Sequence, residues 1–211
     1  MKYVAKRFVA FPKYNLPSNL VNVIANQIPI ILLGSYFGLS VVGQYALTQK
    51  ILGVPGALIS SSILGVFKER ASRDYRETNS CRNIYVKTFK ALFKLSIIPF
   101  LLIFFVSPPL IPLIFGAAWK DAGIYAQILT IMFFFRFISS PLSYVLVIAE
   151  KQKINLSVQI CLLIVTIFAM QLGKTFNSVL ISLLGFSIGY SIIYLIMLIL
   201  SYKYSVNNNA K

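Results

Sequence analysis

Three amides, Asn19, Asn22 and Asn26, recur at i, i+3 and i+7 in the stretch NLVNVIANQIP, a spacing that places them on one face of a helix. With Gln27 beside them they form a neutral stripe that both donates and accepts hydrogen bonds, a chemistry suited to sugar hydroxyls. The same stripe equally suits hydrogen bonding between neighbouring helices. Arg136, in FFFRFISSP, is a cation inside an apolar run, about twelve residues or roughly 18 Å from either end of it. A charge at mid-membrane costs about 2.5–3.5 kcal/mol even on a lenient insertion scale, so Arg136 is expected to face a bundle interior or a wet cavity. Two roles fit it: meeting an anionic ligand, or capping carbonyls freed near Pro141. Lys50 lies about two turns from the end of its apolar run, where it either joins a pathway or snorkels to the interface.

The complementary chemistry is missing. The chain has no His, and its five carboxylates, Glu69, Asp74, Glu77, Asp121 and Glu150, lie between apolar runs or at their ends. Acid/base catalysis and metal binding need a positioned proton carrier or ligand set, so neither an enzyme nor a metal site is expected. A proton relay or sodium site would need carboxylates inside the membrane. The phosphate-binding pattern GxxxxGK[ST] is absent, and no cofactor is expected. Cys81 sits in a charged stretch and Cys161 in an apolar one, which points to neither a disulfide nor a metal pair.

These residues are carried by a chain suited to lipid. Of its 211 residues 12% are charged, about half the share of a soluble domain, and the mean hydropathy is +0.79. The expected class is an all-α membrane protein with six transmembrane helices, at about 17–38, 44–67, 95–115, 124–149, 154–172 and 178–202. A basic loop at 68–94, read either as a solvated connector or as a helix laid along the membrane surface, separates the second and third spans, and a tail occupies 203–211. The net charge of +15 does not imply nucleic acid, because the cations fall between apolar runs. Sixteen of the twenty Lys and Arg fall on one side of this map, against Lys120 and Lys174 on the other. The positive-inside rule then places both termini in the cytoplasm. Residues 1–16 form an arm whose Val4, Phe8 and Phe11 oppose Lys2, Lys6 and Lys13, as in an amphipathic helix lying on an anionic leaflet; a disordered arm is the other reading. No cleaved leader is expected.

Pro29, Pro55, Pro99 and Pro141 interrupt four spans and are hinge candidates, since each removes a helix donor. Gly53, Gly56 and Ser60 on the second span, and Ser178, Ser182, Gly185 and Gly189 on the sixth, read as packing faces. Trp119 falls at the expected outer boundary, where an indole anchors well.

Several strings resemble the bacterial polysaccharide flippases of the O-antigen, lipopolysaccharide and capsule type. They are Phe11-Pro12, Pro17, NQIPIILL, YFG followed by Gly43 and Tyr45, LTQKILGVP, Phe67, and LIFGAAWKDAGIYAQIL followed by SSPLS. The resemblance implies the multidrug and oligosaccharidyl-lipid exporter fold, two helix bundles around a cavity that carries polyprenyl-pyrophosphate-linked oligosaccharide across the bacterial plasma membrane. In that family such motifs belong to the second half of the chain, so this sequence is similar to one carboxy-terminal bundle. The partners this implies are the bilayer, the lipid-linked oligosaccharide and an amino-terminal six-helix bundle or a second copy. Arg136 is the residue expected to meet the pyrophosphate or an anionic sugar. The alternative is a non-transporting scaffold subunit of glycan assembly, or an inactive truncated fragment.

Overall fold

The computed structural model describes residues 10–206, and every helix or strand among them is a helix. Helix α1 is Ala10–Phe37, α2 Leu39–Thr78, α3 Arg82–Phe115, α4 Lys120–Leu142, α5 Val145–Ile148, α6 Gln152–Thr175 and α7 Val179–Lys203; a single 3-10 turn, Ala117–Trp119, precedes α4. Among the described residues six segments are long and apolar enough to cross a membrane, α4 and α5 together forming the fourth. The chain is thus the all-helical, multi-pass membrane protein that its apolar runs require. Residues 1–9, which hold most of the expected amphipathic arm, lie outside the described residues, as do 207–211. From Ala10 onward the arm is continuous with α1.

The largest departure from expectation is at 68–94. This segment is not a separate element lying along a surface: α2 continues unbroken to Thr78 and α3 already begins at Arg82, giving a helical hairpin. Lys, Arg, Glu and Ala in KERASRDYRET are good helix formers, so α2 has no reason to stop where its apolar stretch ends. Asn79 stops it in the left-handed conformation at φ 54, a position Asn tolerates better than most residues. Gly38 (φ 91) and Gly116 (φ 97) make two of the other breaks, both at backbone angles that favour glycine. The hairpin is tied to the far end of the chain, since Cys81 N–H donates to the Ser205 carbonyl at 2.8 Å and the Tyr85 hydroxyl donates to that of Leu198 at 2.9 Å.

Of the hinge candidates, Pro29, Pro55 and Pro99 lie inside α1, α2 and α3, which continue through them. Pro141 is different. Helix α4 ends one residue later, and Ser143 and Tyr144 turn the chain into the single turn of α5.

Helix α4 is the hub of the bundle, packing on α2, α3 and α7, while α6 joins α1 to α7. The directions alternate as six successive crossings require. Ser18, Asn22 and Tyr36 of α1 bond Asn155, Gln159 and Gln171 of α6 in ascending order, so these two helices are parallel. Thr48, Gly53 and Gly56 of α2 meet Ala122, Phe133 and Phe137, so α2 and α4 are parallel too. Helices α6 and α7 are antiparallel, with Gly173, Ala169 and Val165 against Ser182, Gly185 and Gly189. A Cβ on Gly189 would collide with Val165, and Gly185 comes within ordinary contact of Ala169. Lipid supplies no hydrophobic force between helices, so this close approach of small residues is what holds the pair.

Candidate functional site

Arg136 projects from α4 among residues of α2 and α7. Its guanidinium carbon lies 5.7 Å from the centre of the Phe133 ring, one helical turn earlier. The hydroxyls of Tyr45 on α2 and of Tyr190 and Tyr194 on α7 are close enough to feel its charge, an influence that reaches furthest where water is excluded. The side chain is half-buried. Among the described residues no carboxylate pairs with it, and none of its N–H groups has a hydrogen-bond acceptor. The second expected role, a cap on carbonyls freed near Pro141, therefore has no bond to support it.

Two of the three tyrosines, Tyr45 and Tyr190, are held by polar partners of their own. Gln49 Nε2 donates to the Tyr45 hydroxyl at 2.6 Å, one turn along α2. Thr166 Oγ1 and the Tyr190 hydroxyl are 2.8 Å apart, and the single Thr166 proton goes to the Leu162 carbonyl, so Tyr190 is the donor of that pair. The Tyr190 ring is tilted against Phe186 at 4.3 Å and meets Tyr194 edge-on at 5.9 Å, which fixes the α7 side. The Tyr194 hydroxyl makes no hydrogen bond among the described residues. The cluster thus offers one fixed positive charge with phenols, an amide and a hydroxyl in its neighbourhood. That combination can receive an anion and hydrogen-bond to neutral oxygens beside it.

Helix α4 is set in depth by its first turn. Trp119, at its N-cap, has no side chain that caps it, and Gln44 of α2 does the work from across the interface. Gln44 Oε1 accepts from Ala122 N–H at 2.9 Å while its Nε2 donates to the Ala118 carbonyl. Thr48 Oγ1 donates to the Ala122 carbonyl at 3.0 Å, and Ser107 of α3 donates to that of Gly123 at 3.2 Å. Gln44 therefore serves a free donor of the helix start that α4 cannot satisfy itself.

The amide stripe is divided. Asn22 Nδ2 donates to Gln159 Oε1 at 2.8 Å, joining α1 to α6, while Asn26 donates back to the Asn22 carbonyl at 2.7 Å. Asn19, Asn26 and Gln27 are exposed. The hydrogen bonds of the stripe go to α1 itself and to α6, and none goes to the Arg136 cluster. Lys50 is exposed on α2, next in sequence to Gln49. Ser139, one turn beyond Arg136, carries the only buried side-chain oxygen among the described residues that has no partner.

Charge and amide pattern single out Arg136 in the sequence but not Gln49, Thr166, Tyr190 or Tyr194, which the fold places near it. A usable signal was present, because Tyr45 with Gln49, and Tyr190 with Tyr194, are i, i+4 pairs inside apolar runs.

Comparison with known proteins agrees with a glycan-related role. Residues 1–124 match the family model described as "Polysaccharide biosynthesis protein". The teichuronic acid biosynthesis protein TuaB of Bacillus subtilis (strain 168) is 26% identical over 136 residues, a match that takes in 64% of this chain and 28% of that relative. No solved structure matches the chain. Arg136 lies beyond the family-matched segment, so its assignment rests on geometry alone. The matched segment itself covers more than half of the chain, including all of α1, α2 and α3, and the chain belongs to the polysaccharide biosynthesis protein family.

Proposed function

We propose that this chain is one six-helix bundle of a polysaccharide flippase, contributing half of an alternating-access cavity for a polyprenyl-pyrophosphate-linked oligosaccharide. The observation that carries the reading is Arg136, a half-buried cation with no carboxylate partner, whose charge reaches the hydroxyls of Tyr45, Tyr190 and Tyr194. The planar guanidinium matches a phosphate oxygen pair, and the low dielectric around it strengthens that contact. Gln49 and the Tyr194 hydroxyl supply hydrogen bonds to sugar oxygens. Exposed Asn19, Asn26 and Gln27 continue a neutral, sugar-compatible surface along α1, and Lys50 adds a second cation on α2.

A partner bundle completes the cavity in this reading. The most apolar stretches of α1, α2 and α3 are only 17%, 11% and 17% buried within the bundle, against 50% for the fourth span and for α7. Much of the first three helices is therefore left to lipid and to an amino-terminal bundle or second copy. The protein sits in the bacterial plasma membrane with both termini and the 68–94 hairpin in the cytoplasm, on the strength of the sixteen-to-two division of basic residues.

The test is complementation in a strain lacking its own flippase. This chain alone is expected to leave lipid-linked oligosaccharide unflipped, and co-expression with a matching amino-terminal bundle is expected to restore surface polysaccharide. Rescue by the 211 residues alone would overturn the two-bundle reading. If the pair assembles with the glycan enzymes and still fails to move the lipid-linked oligosaccharide, the chain is a scaffold.

A further inference from the structure

The structure has a second feature, apart from the Arg136 cluster. A groove of about 510 Å³ lies between α3, α4 and α7, walled by Tyr85, Phe89 and Phe93 on α3, Phe134 on α4, and Leu198 and Tyr202 on α7. Its volume is that of a ligand site, but its walls offer no polar surface. A glycan has nothing to bond there; a hydrocarbon chain does not need to. The rings hold one another in place: Phe89 stacks on Phe93 at 6.2 Å, and Phe93 meets Phe134 edge-on at 5.9 Å.

One end of the groove is charged. The Arg82 guanidinium carbon stands 4.7 Å from the centre of the Tyr202 ring, and Lys203 follows Tyr202 directly. Both cations are exposed, and among the described residues neither has a carboxylate partner. This is the end where the α2–α3 hairpin is tied to the C-terminal end of α7.

We propose that the groove binds one acyl chain of an anionic phospholipid, with Arg82 and Lys203 holding its phosphate. Charge complementarity selects the head, since a zwitterionic lipid gives those cations less to attract. Length selects the tail. From Tyr85 to Phe93 the α3 wall runs eight residues, about 12 Å, close to the roughly 15 Å hydrocarbon depth of one leaflet. A polyprenyl chain would overrun it. Bound there, the lipid bridges α3 and α7 across α4 at the base of the bundle, independently of whether the chain transports anything.

The test uses tryptophan fluorescence in the full chain, whose one native Trp, Trp119, lies before α4 and is replaced by Phe. Phe89→Trp reports from the groove wall, and Phe93→Trp is a second reporter should the first fail to fold. Phosphatidylglycerol or phosphatidylcholine with dibrominated acyl chains, titrated into unbrominated phosphatidylcholine, quenches a Trp it touches. Brominated phosphatidylglycerol is expected to reach half-quenching at roughly thirtyfold lower mole fraction, the ratio expected for two cations beside an anionic lipid, and Arg82→Gln with Lys203→Gln is expected to erase the difference. Equal quenching by the two lipids, or a preference that survives the double substitution, would overturn the proposal. So would relief of quenching by an equal mole fraction of polyprenyl phosphate, which would make the groove a polyprenyl site.

Discussion

Replacing Gln44 by Leu should unseat the start of α4. Leu matches the volume of Gln but leaves two groups without partners, the Ala122 N–H and the Ala118 carbonyl. They are not equivalent. Ala118 is exposed, and its carbonyl can turn to water at little cost. Ala122 is fully buried, and its N–H belongs to the first turn of α4, where the helix supplies no acceptor. An unsatisfied buried donor costs about 1–3 kcal/mol, whereas hydrogen bonds between membrane helices average only about 0.6 kcal/mol in double-mutant cycles. The orphaned donor sets the size of the effect, so Gln44→Leu is expected to destabilise by about 1–3 kcal/mol in a reversible detergent unfolding titration.

Gln44→Glu separates the two bonds. Protonated, Glu keeps both, with its hydroxyl donating to Ala118 and its carbonyl accepting from Ala122. Ionised, it keeps the Ala122 bond but sets an acceptor against the Ala118 carbonyl and buries a charge. The variant is therefore expected to lose stability as pH rises and the carboxyl ionises. Wild-type stability in Gln44→Leu, or Gln44→Glu gaining stability with pH, would refute the reasoning.

Three further outcomes are expected. With Cys81 and Cys161 both replaced by serine, a cysteine at Ser72 should resist an impermeant thiol reagent in intact cells and one at Lys174 should react; labelling at 72 would overturn the orientation. Burial pushes the native Cys81 thiol up to about 11, so its alkylation should stay slow at pH 8 and rise only towards pH 11. The stability it lends is full below the ordinary thiol value of about 8.5 and lost as pH climbs through 11. A double-mutant cycle between Asn22→Ala and Gln159→Ala should give a coupling of about 0.6–1.7 kcal/mol; zero coupling would free the Asn22 amide for substrate.

The spans were legible because apolar length is a local property, and each of the six expected runs lies within an observed helix or, for the fourth, within α4 and α5 together but for a residue or two. The same locality limits the reading at 68–94, where the loss of apolar character marks the end of a membrane span but not of its helix, since KERASRDYRET keeps strong helical propensity and α2 runs on through it. Arg136 was legible from depth alone. Its surroundings were not, since Tyr45, Tyr190 and Tyr194 come from helices whose pairing depends on how the bundle closes. The amide stripe shows the same limit: whether Asn22 faces a cavity or a neighbour depended on Gln159, 137 residues away.

The central claim is that Arg136 serves an anionic substrate and not the fold. The direct measurement compares wild type, Arg136→Lys and Arg136→Gln in a reconstituted two-bundle transporter, recording flipping of lipid-linked oligosaccharide and the detergent melting temperature of each. Hydrogen bonds to charged groups are worth about 1.5–3 kcal/mol, so Arg136→Gln should slow flipping roughly ten- to hundredfold, with Arg136→Lys in between because it keeps the charge but loses the planar fork. Melting temperatures should stay level or rise, because an unpaired charge is being removed from the bundle interior. If Arg136→Gln melts far lower while its folded fraction still flips at the wild-type rate, Arg136 is a structural residue and the account is wrong.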